Sequence, residues 1–324
     1  MAAPTPLLVE RFRGDLEALA PPRGAVAVAV SGGPDSLALL LLAAAAFPQA
    51  ARAATVDHGL RPESAAEAAL AAAACARLGV PHRILKVEVE RRGEGLQAAA
   101  RSARYRALGG WMREEGLGLL LTAHHADDQA ETLLMRLMRG SGVAGLAGVR
   151  ARIPFPAGGS DALLCRPLLA WRREELAEIV RAAGLKAADD PSNRDEAYDR
   201  ARLRARLAEA PWIEPEPLAR SAATLAEAEE ALQWVAEQSF AECVGRDGHA
   251  VVLAPEGLPA EILRRLVLRC LRETDADAAP RGHEVTRLIE TLRGGGAATL
   301  AGVRASGAGP LWRFEPAPPR REVG

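Results

Sequence analysis

The chain has 324 residues, 49% hydrophobic and 26% charged, with a formal net charge of −1. That length predicts about two domains, and the near-zero charge excludes a histone-like polycation while leaving room for a nucleic-acid enzyme with a local basic patch. The longest apolar run, Leu37 to Phe47, stops at Pro48, short of the ~20 residues of a membrane span, and the N-terminus has no basic start followed by an apolar stretch, so no membrane association and a cytoplasmic location are expected.

In chain order, Ala25 to Val30 reads as a buried strand and Leu37 to Ala46 as a helix. Ala51 to Val56 is a second strand, and a helix follows from Pro62 to Leu78, closed by Gly79. Arg83 to Val89 is a third strand, Gln97 to Glu115 a helix, and Leu117 to Ala123 a fourth strand. Ala126 to Met138 and Arg173 to Ala183 are helical. Strands alternating with helices of this length predict an α/β fold with a parallel, doubly wound sheet. Ligands then collect at the carboxyl ends of the strands. The segment Ala210 to Pro217 holds three prolines and predicts a domain boundary near 213. It divides a catalytic domain, 1–212, from a smaller, mainly helical one, 213–324. In the second, Leu218 to Cys243, Ala260 to Glu273 and His283 to Leu292 read as helices, and Gly294 to Phe314 as a small sheet.

Four cysteines, at 75, 165, 243 and 270, form no C-x-x-C pair. Buried, reduced thiols are expected rather than a zinc ribbon or a disulfide-exchange motif.

The strongest chemical signal is SGGPDS, comprising Ser31, Gly32, Gly33, Pro34, Asp35 and Ser36, between the first strand and its helix. Two glycines let the backbone approach an anion, and the amides of the helix start point at it. The Lys of a Walker A loop and the third Gly of a dinucleotide fingerprint are both missing. Asp35 sits awkwardly beside a phosphate unless a divalent cation such as Mg²⁺ lies between them; an ordinary helix cap is the plainer alternative. SGGPDS resembles the signature of the PP-loop, or N-type, ATP pyrophosphatases. That resemblance implies ATP cleaved between its α and β phosphates and AMP attached to a carbonyl-type oxygen.

A second group, TAHHADDQAET, runs from the fourth strand into a helix. Asp128 and Glu131 share a helix face, and Asp127 with Glu131 nearly does. These carboxylates can hold Mg²⁺ or an ammonium group, take a proton from an amine, or merely complement the helix N-terminus. A transition-metal site using His124 and His125 is disfavoured, because no Cys or third well-spaced ligand supports it. A third group, Asp57 and His58, ends the second strand and suits either a nucleotide contact or a turn with a cap.

These stretches in this order, with LQAAARSARYRAL, MRLMRGSGVAGLAGV, CRPLLAWRREEL and DDPSNRDEAYDRARLR, resemble the tRNA(Ile)-lysidine synthetases over about residues 25–210. One departure is Ala201, where that family usually carries Asn. The resemblance implies adenylation of a wobble cytidine in the CAU anticodon of tRNA(Ile), then attack by the ε-amine of free L-lysine. ATP and Mg²⁺ are the implied cofactors, and a homodimer is left open. Asp35, Asp128, Glu131 and Arg101 are the expected catalytic residues, with Asp35 on the metal. Ser31 to Ser36, Asp57 and His58 are expected to hold ATP. Asp127, Asp128, Glu131, Arg104, Arg200, Arg202 and Arg204 are expected to meet lysine or tRNA. For Arg101 and Arg104 the alternative is a solvated helix face. The cluster at 200, 202, 204 and 206 would share one face in a strand and spread in a helix; salt bridges to Asp189, Asp190, Asp195, Glu196 and Asp199 compete with RNA phosphate. The rival readings are a tRNA sulfur-transfer enzyme, an amidotransferase-type synthetase and a silent RNA-binding module.

Overall fold

The computed structural model describes residues 2–59, 64–89, 95–156, 161–188 and 199–318. The expected starting Pro62 of the second helix, and Asp189, Asp190, Asp195 and Glu196, lie outside the described residues. Two compact units are present, Met1–Ala226 and Glu227–Gly324.

The first unit runs α1 (Pro6–Leu19), β1 (Val26–Ala29), α2 (Pro34–Ala46), β2 (Ala51–Asp57), α3 (Ser64–Leu78), β3 (His82–Lys86), α4 (Leu96–Glu114), β4 (Leu119–Leu121), α5 (Ala126–Met138), α6 (Val143–Leu146), β5 (Arg152–Pro154), β6 (Leu163–Cys165), α7 (Arg173–Ala182) and α8 (Asp199–Ala208). The strands form the expected parallel sheet, in the order β3-β2-β1-β4-β6-β5, with only β5 antiparallel to its neighbour. Register is set in the middle, where Val28 pairs with Ala53 on one side and Leu121 on the other.

Both faces of the sheet are covered, and strand alternation assigns side chains to them. Val26, Val28, Leu119 and Leu121 point into a core with α1, α2 and α7. Ala27, Leu120 and Leu164 point into a second core with Tyr105, Leu108 and Trp111 of α4. The long apolar run of the sequence is α2 itself, whose residues Leu37 to Leu42 are at most 1% exposed. Each such leucine contributes about 1.5–3 kcal/mol by burial, so the run reflects a central helix.

α1 has no counterpart in the sequence reading. It buries Phe12 and Leu16 and reaches the chain just before α7: Trp171 Nε1–H donates to Asp15 at 2.7 Å, the Arg11 guanidinium lies 4.0 Å over the Trp171 ring, and Arg11 pairs with Glu175 at 2.8 Å.

The proline cluster near 213 starts a helix rather than a linker. Pro215 and Pro217 occupy the first turn of α9 (Pro215–Cys243), where a missing N–H costs nothing. The compact units divide inside α9, beyond that cluster. The second unit adds β7 (Val244–Asp247), β8 (Ala250–Leu253), α10 (Ala260–Thr274), α11 (Gly282–Arg293), β9 (Ala297–Leu300), β10 (Val303–Ser306) and β11 (Trp312–Pro316). Its antiparallel sheet, β7-β8-β11-β10-β9, is larger than the one expected over Gly294 to Phe314, because the β7–β8 hairpin joins it. Leu253, Leu266, Val267, Leu288 and Phe314 form its core with α10 and α11.

Candidate active site

The chain leaves β1 outward through β2 and β3, then returns to β4 on the other side of β1. Connections therefore reverse direction between β1 and β4, where open α/β sheets bind ligands. A cleft of about 490 Å³ opens there; Ser31, Gly33, Pro34, Asp35 and Ser36 line it after β1, and Thr122, His124 and Asp128 after β4.

The loop is held by its own serines. The Ser36 hydroxyl accepts from the Ser31 backbone N–H and hydroxyl, both at 3.1 Å, and donates to the Gly33 carbonyl at 2.9 Å. Gly32 does not line the cleft but shapes the loop. Its φ is +88°, and a Cβ there would stand 2.8 Å from the Glu67 carbonyl oxygen, so only glycine fits. Pro34 opens α2, leaving the amides of Asp35 and Ser36 in a first turn without intrahelical acceptors. Asp35 lines the cleft, and its Oδ1 is buried with no hydrogen-bond partner. An orphaned carboxylate oxygen beside an amide cradle suits a hard cation shared with phosphate oxygens.

His125 organises the carboxylates, a role the sequence reading missed. It caps α5, its backbone N–H donates to Asp128 Oδ2 at 3.2 Å, and its ring is 1% exposed. Nε2 lies 3.5 Å from both Asp35 and Asp128, and Nδ1 lies 3.6 Å from Asp127. Burial alone would lower its pKa, but Asp127, Asp35 and Asp128 outweigh it and raise the imidazole to about 9. The neighbouring His124 goes the other way, to about 4, through burial and the nearby arginines. At neutral pH one histidine is a fixed cation and the other is neutral. In the sequence the adjacent pair H-H reads only as a disfavoured metal site, and nothing in it reveals this division.

The sequence-predicted carboxylates separate. Asp128 lines the cleft, whereas Asp127 and Glu131 line a second cavity of about 390 Å³ between α5, α7 and the segment after α8. Asp127 accepts from the Arg173 backbone N–H at 2.9 Å, capping α7. Burial raises its pKa, but His125 and this amide hold the carboxyl well below the usual range. Glu131, 3% exposed, is surrounded by arginines: Arg204 donates to both oxygens at 2.8 and 3.0 Å, Arg173 donates at 2.9 Å, and Arg200 Nε lies 3.4 Å away. Glu131, expected beside Asp128, thus lines a different cavity from it.

Asp57 accepts from the Gly59 N–H at 3.0 Å and the Ser64 hydroxyl at 2.7 Å, the turn-and-cap alternative, and it does not line the cleft. His58 does line it, as do Arg101, Arg104 and Arg200. Arg104 Nε–H points to His58 Nε2 at 3.4 Å, and burial together with Arg104 keeps His58 below its ordinary pKa. Arg101 stacks on Tyr105 at 5.0 Å. α8 is a helix, so Arg200 and Arg204, one turn apart, reach Glu131, while Arg202 pairs with Asp199 and Arg206 lies 3.5 Å from Glu209. Arg202 lines neither cavity. Ala201, at the departure from the family pattern, is buried. Cys75, Cys165 and Cys270 are buried, and burial pushes their thiols to about 12, 11 and 12, unsuited to nucleophilic or sulfur-relay chemistry.

The chain matches the PP-loop domain family over residues 9–210. It is 46% identical to a tRNA(Ile)-lysidine synthase of Zymomonas mobilis, over 98% of this chain and 95% of that protein. It is 47% identical to a tRNA(Ile)-lysidine synthase of Novosphingobium aromaticivorans, over 96% and 94%. Among solved structures, a U34-tRNA thiolase from Methanococcus maripaludis superposes with a TM-score of 0.55 at 19% identity, covering 70% of this chain and 77% of the thiolase; that likeness is one of fold.

Proposed function

This chain belongs to the tRNA(Ile)-lysidine synthase family, and from that premise we infer that it ligates lysine to carbon 2 of the wobble cytidine in the CAU anticodon of tRNA(Ile), consuming ATP. The carrying observation is the cleft at the β1–β4 reversal, which joins an anion cradle, an orphaned Asp35 oxygen and three arginines around space for a nucleotide.

Amides of the SGGPDS loop and the guanidinium groups of Arg101, Arg104 and Arg200 hold the triphosphate. Asp35 would hold Mg²⁺, and the ion would supply neutralisation of phosphate charge at that point of the cleft. The cytosine carbon-2 oxygen attacks the α-phosphorus, forming an AMP ester and releasing pyrophosphate. The ε-amine of lysine then attacks carbon 2, and the carbon–oxygen bond to AMP breaks. Lysine carries an ammonium at neutral pH, with an ordinary pKa of ~10.4. Asp128, at the wall of the cleft, accepts its proton. His125, as an imidazolium, holds Asp35 and Asp128 in place from behind. The second cavity fits lysine before reaction: Glu131, Glu174 and Glu214 suit an ammonium, and Arg172, Arg173 and Arg204 suit the α-carboxylate.

Unit 2 supplies tRNA recognition in this reading, because a pocket for one base cannot separate two tRNAs that share an anticodon. A cytoplasmic setting follows from a tRNA substrate. The test is ATP–pyrophosphate exchange with and without tRNA, followed by labelled-lysine incorporation into tRNA(Ile) and tRNA(Met). Exchange requiring tRNA(Ile), with label in that tRNA alone, is expected. Exchange without tRNA would sink the assignment.

A further inference from the structure

Arg200 lines one cavity and touches a residue of the other. It lines the nucleotide cleft, yet its Nη2–H donates to Thr132 Oγ1 at 2.9 Å and its Nε lies 3.4 Å from Glu131, a residue of the second cavity. We propose that Arg200 couples the two: polyphosphate in the cleft draws its guanidinium from Glu131, and the carboxylate so released binds the amine of lysine more tightly. The inference rests on lysine occupying the second cavity.

Geometry makes Arg200 the partner that can leave. Arg173 and Arg204 hold Glu131 at 2.8 to 3.0 Å, whereas Arg200 stands at 3.4 Å. Its side chain is 45% exposed, against 32% and 31% for Arg173 and Arg204, so it has room to swing. A phosphate offers it a charge-assisted, two-pronged contact, with more charge than its share of one carboxylate. Glu131 is 3% exposed, so removal of one cation from its surroundings is poorly screened and makes the second cavity more attractive to an ammonium. Nucleotide and lysine then favour one another although neither touches the other. Thermodynamic linkage requires the effect to be equal in both directions.

The experiment is titration calorimetry of the full-length chain with L-lysine, with and without saturating α,β-methylene-ATP and magnesium, a nucleotide whose reacting bridge cannot be cleaved. Wild type should bind lysine about ten-fold tighter with nucleotide, and nucleotide about ten-fold tighter with lysine. Arg200→Gln should bring that ratio to about one, with lysine already binding tightly in the absence of nucleotide. A residue that only supports the fold would shift both affinities and leave their ratio alone. A wild-type ratio near one, or an undiminished ratio in Arg200→Gln, overturns the coupling. Should that variant fail to fold, the reciprocal wild-type ratios decide. Glu131→Gln separates the two assignments: weaker lysine binding supports the cavity whatever the coupling does, and unchanged lysine binding removes both.

Discussion

Replacing Glu131 by Gln tests the arginine cluster directly. The change preserves size and removes a charge that faces three guanidinium groups at 2.8 to 3.4 Å. Gln also turns donor hydrogens toward donors, so at least one arginine loses its acceptor. Breaking a fully buried pair costs about 3–5 kcal/mol. Here the arginines remain roughly a third to a half exposed and recover hydration, so about 2–3 kcal/mol is the appropriate size. For a unit of the size of Met1–Ala226 that lowers the melting midpoint by roughly 5–10 °C, read by differential scanning calorimetry. Pyrophosphate release with tRNA, measured well below that midpoint, should survive better than lysine incorporation, because Glu131 lies outside the nucleotide cleft. A midpoint within about 2 °C of wild type would refute the cluster, and equal loss of both steps would refute the separation of cavities.

Asp35→Asn should leave thermal stability near wild type while pyrophosphate release falls ~100-fold or more, since an amide ligates a hard cation poorly; retained release would mean that Asp35 is only a helix-start residue. Gly32→Ala should cost about 1–3 kcal/mol through the left-handed backbone and the approach to the Glu67 carbonyl, and raise the KM for ATP; a wild-type melt and KM would show that the loop tolerates a Cβ. His125, held near pKa 9 against an ordinary 6.5, contributes stability that is full below about pH 6.5 and lost as pH rises through 9. That contribution has a ceiling of about 3 kcal/mol. Urea denaturation of the magnesium-free protein at pH 6, 7.5 and 9 should show the decline, and His125→Asn should flatten it; a flat wild-type profile would contradict an imidazolium there.

What could be read beforehand followed from short-range rules. α5 has the limits the sequence predicts, and the PP-loop stands between β1 and α2, because apolar spacing and a proline at a helix start are local signals. Missed were the three- and four-residue strands β5, β6, β7 and β8, too short to display alternation. α1 was missed although Leu8, Phe12 and Leu16, each four residues apart, mark one helix face. The site divided in the same way. The Ser31–Ser36 cradle is contiguous, whereas Asp127 meets its amide partner 46 residues on, and Glu131 meets its arginines 42 and 73 residues on. Which carboxylate stays open to the cleft depends on where α7 and α8 land, and no spacing within TAHHADDQAET encodes that.

The contact of α1 with Trp171 has a consequence in time. Asp15 and its tryptophan partner are 156 residues apart, so α1, which precedes every strand of its unit, waits for nearly the last strand–helix connection of that unit. At ~5–20 residues per second that interval is roughly 10–30 s, during which Phe12 and Leu16 have no sheet-bound neighbour from α7. The same meeting seats Trp171, whose carbonyl accepts the Ala126 N–H at the head of α5 at 2.9 Å, next to His125. Closure of the nascent unit and the final placement of its carboxylates are thus one event, late in synthesis.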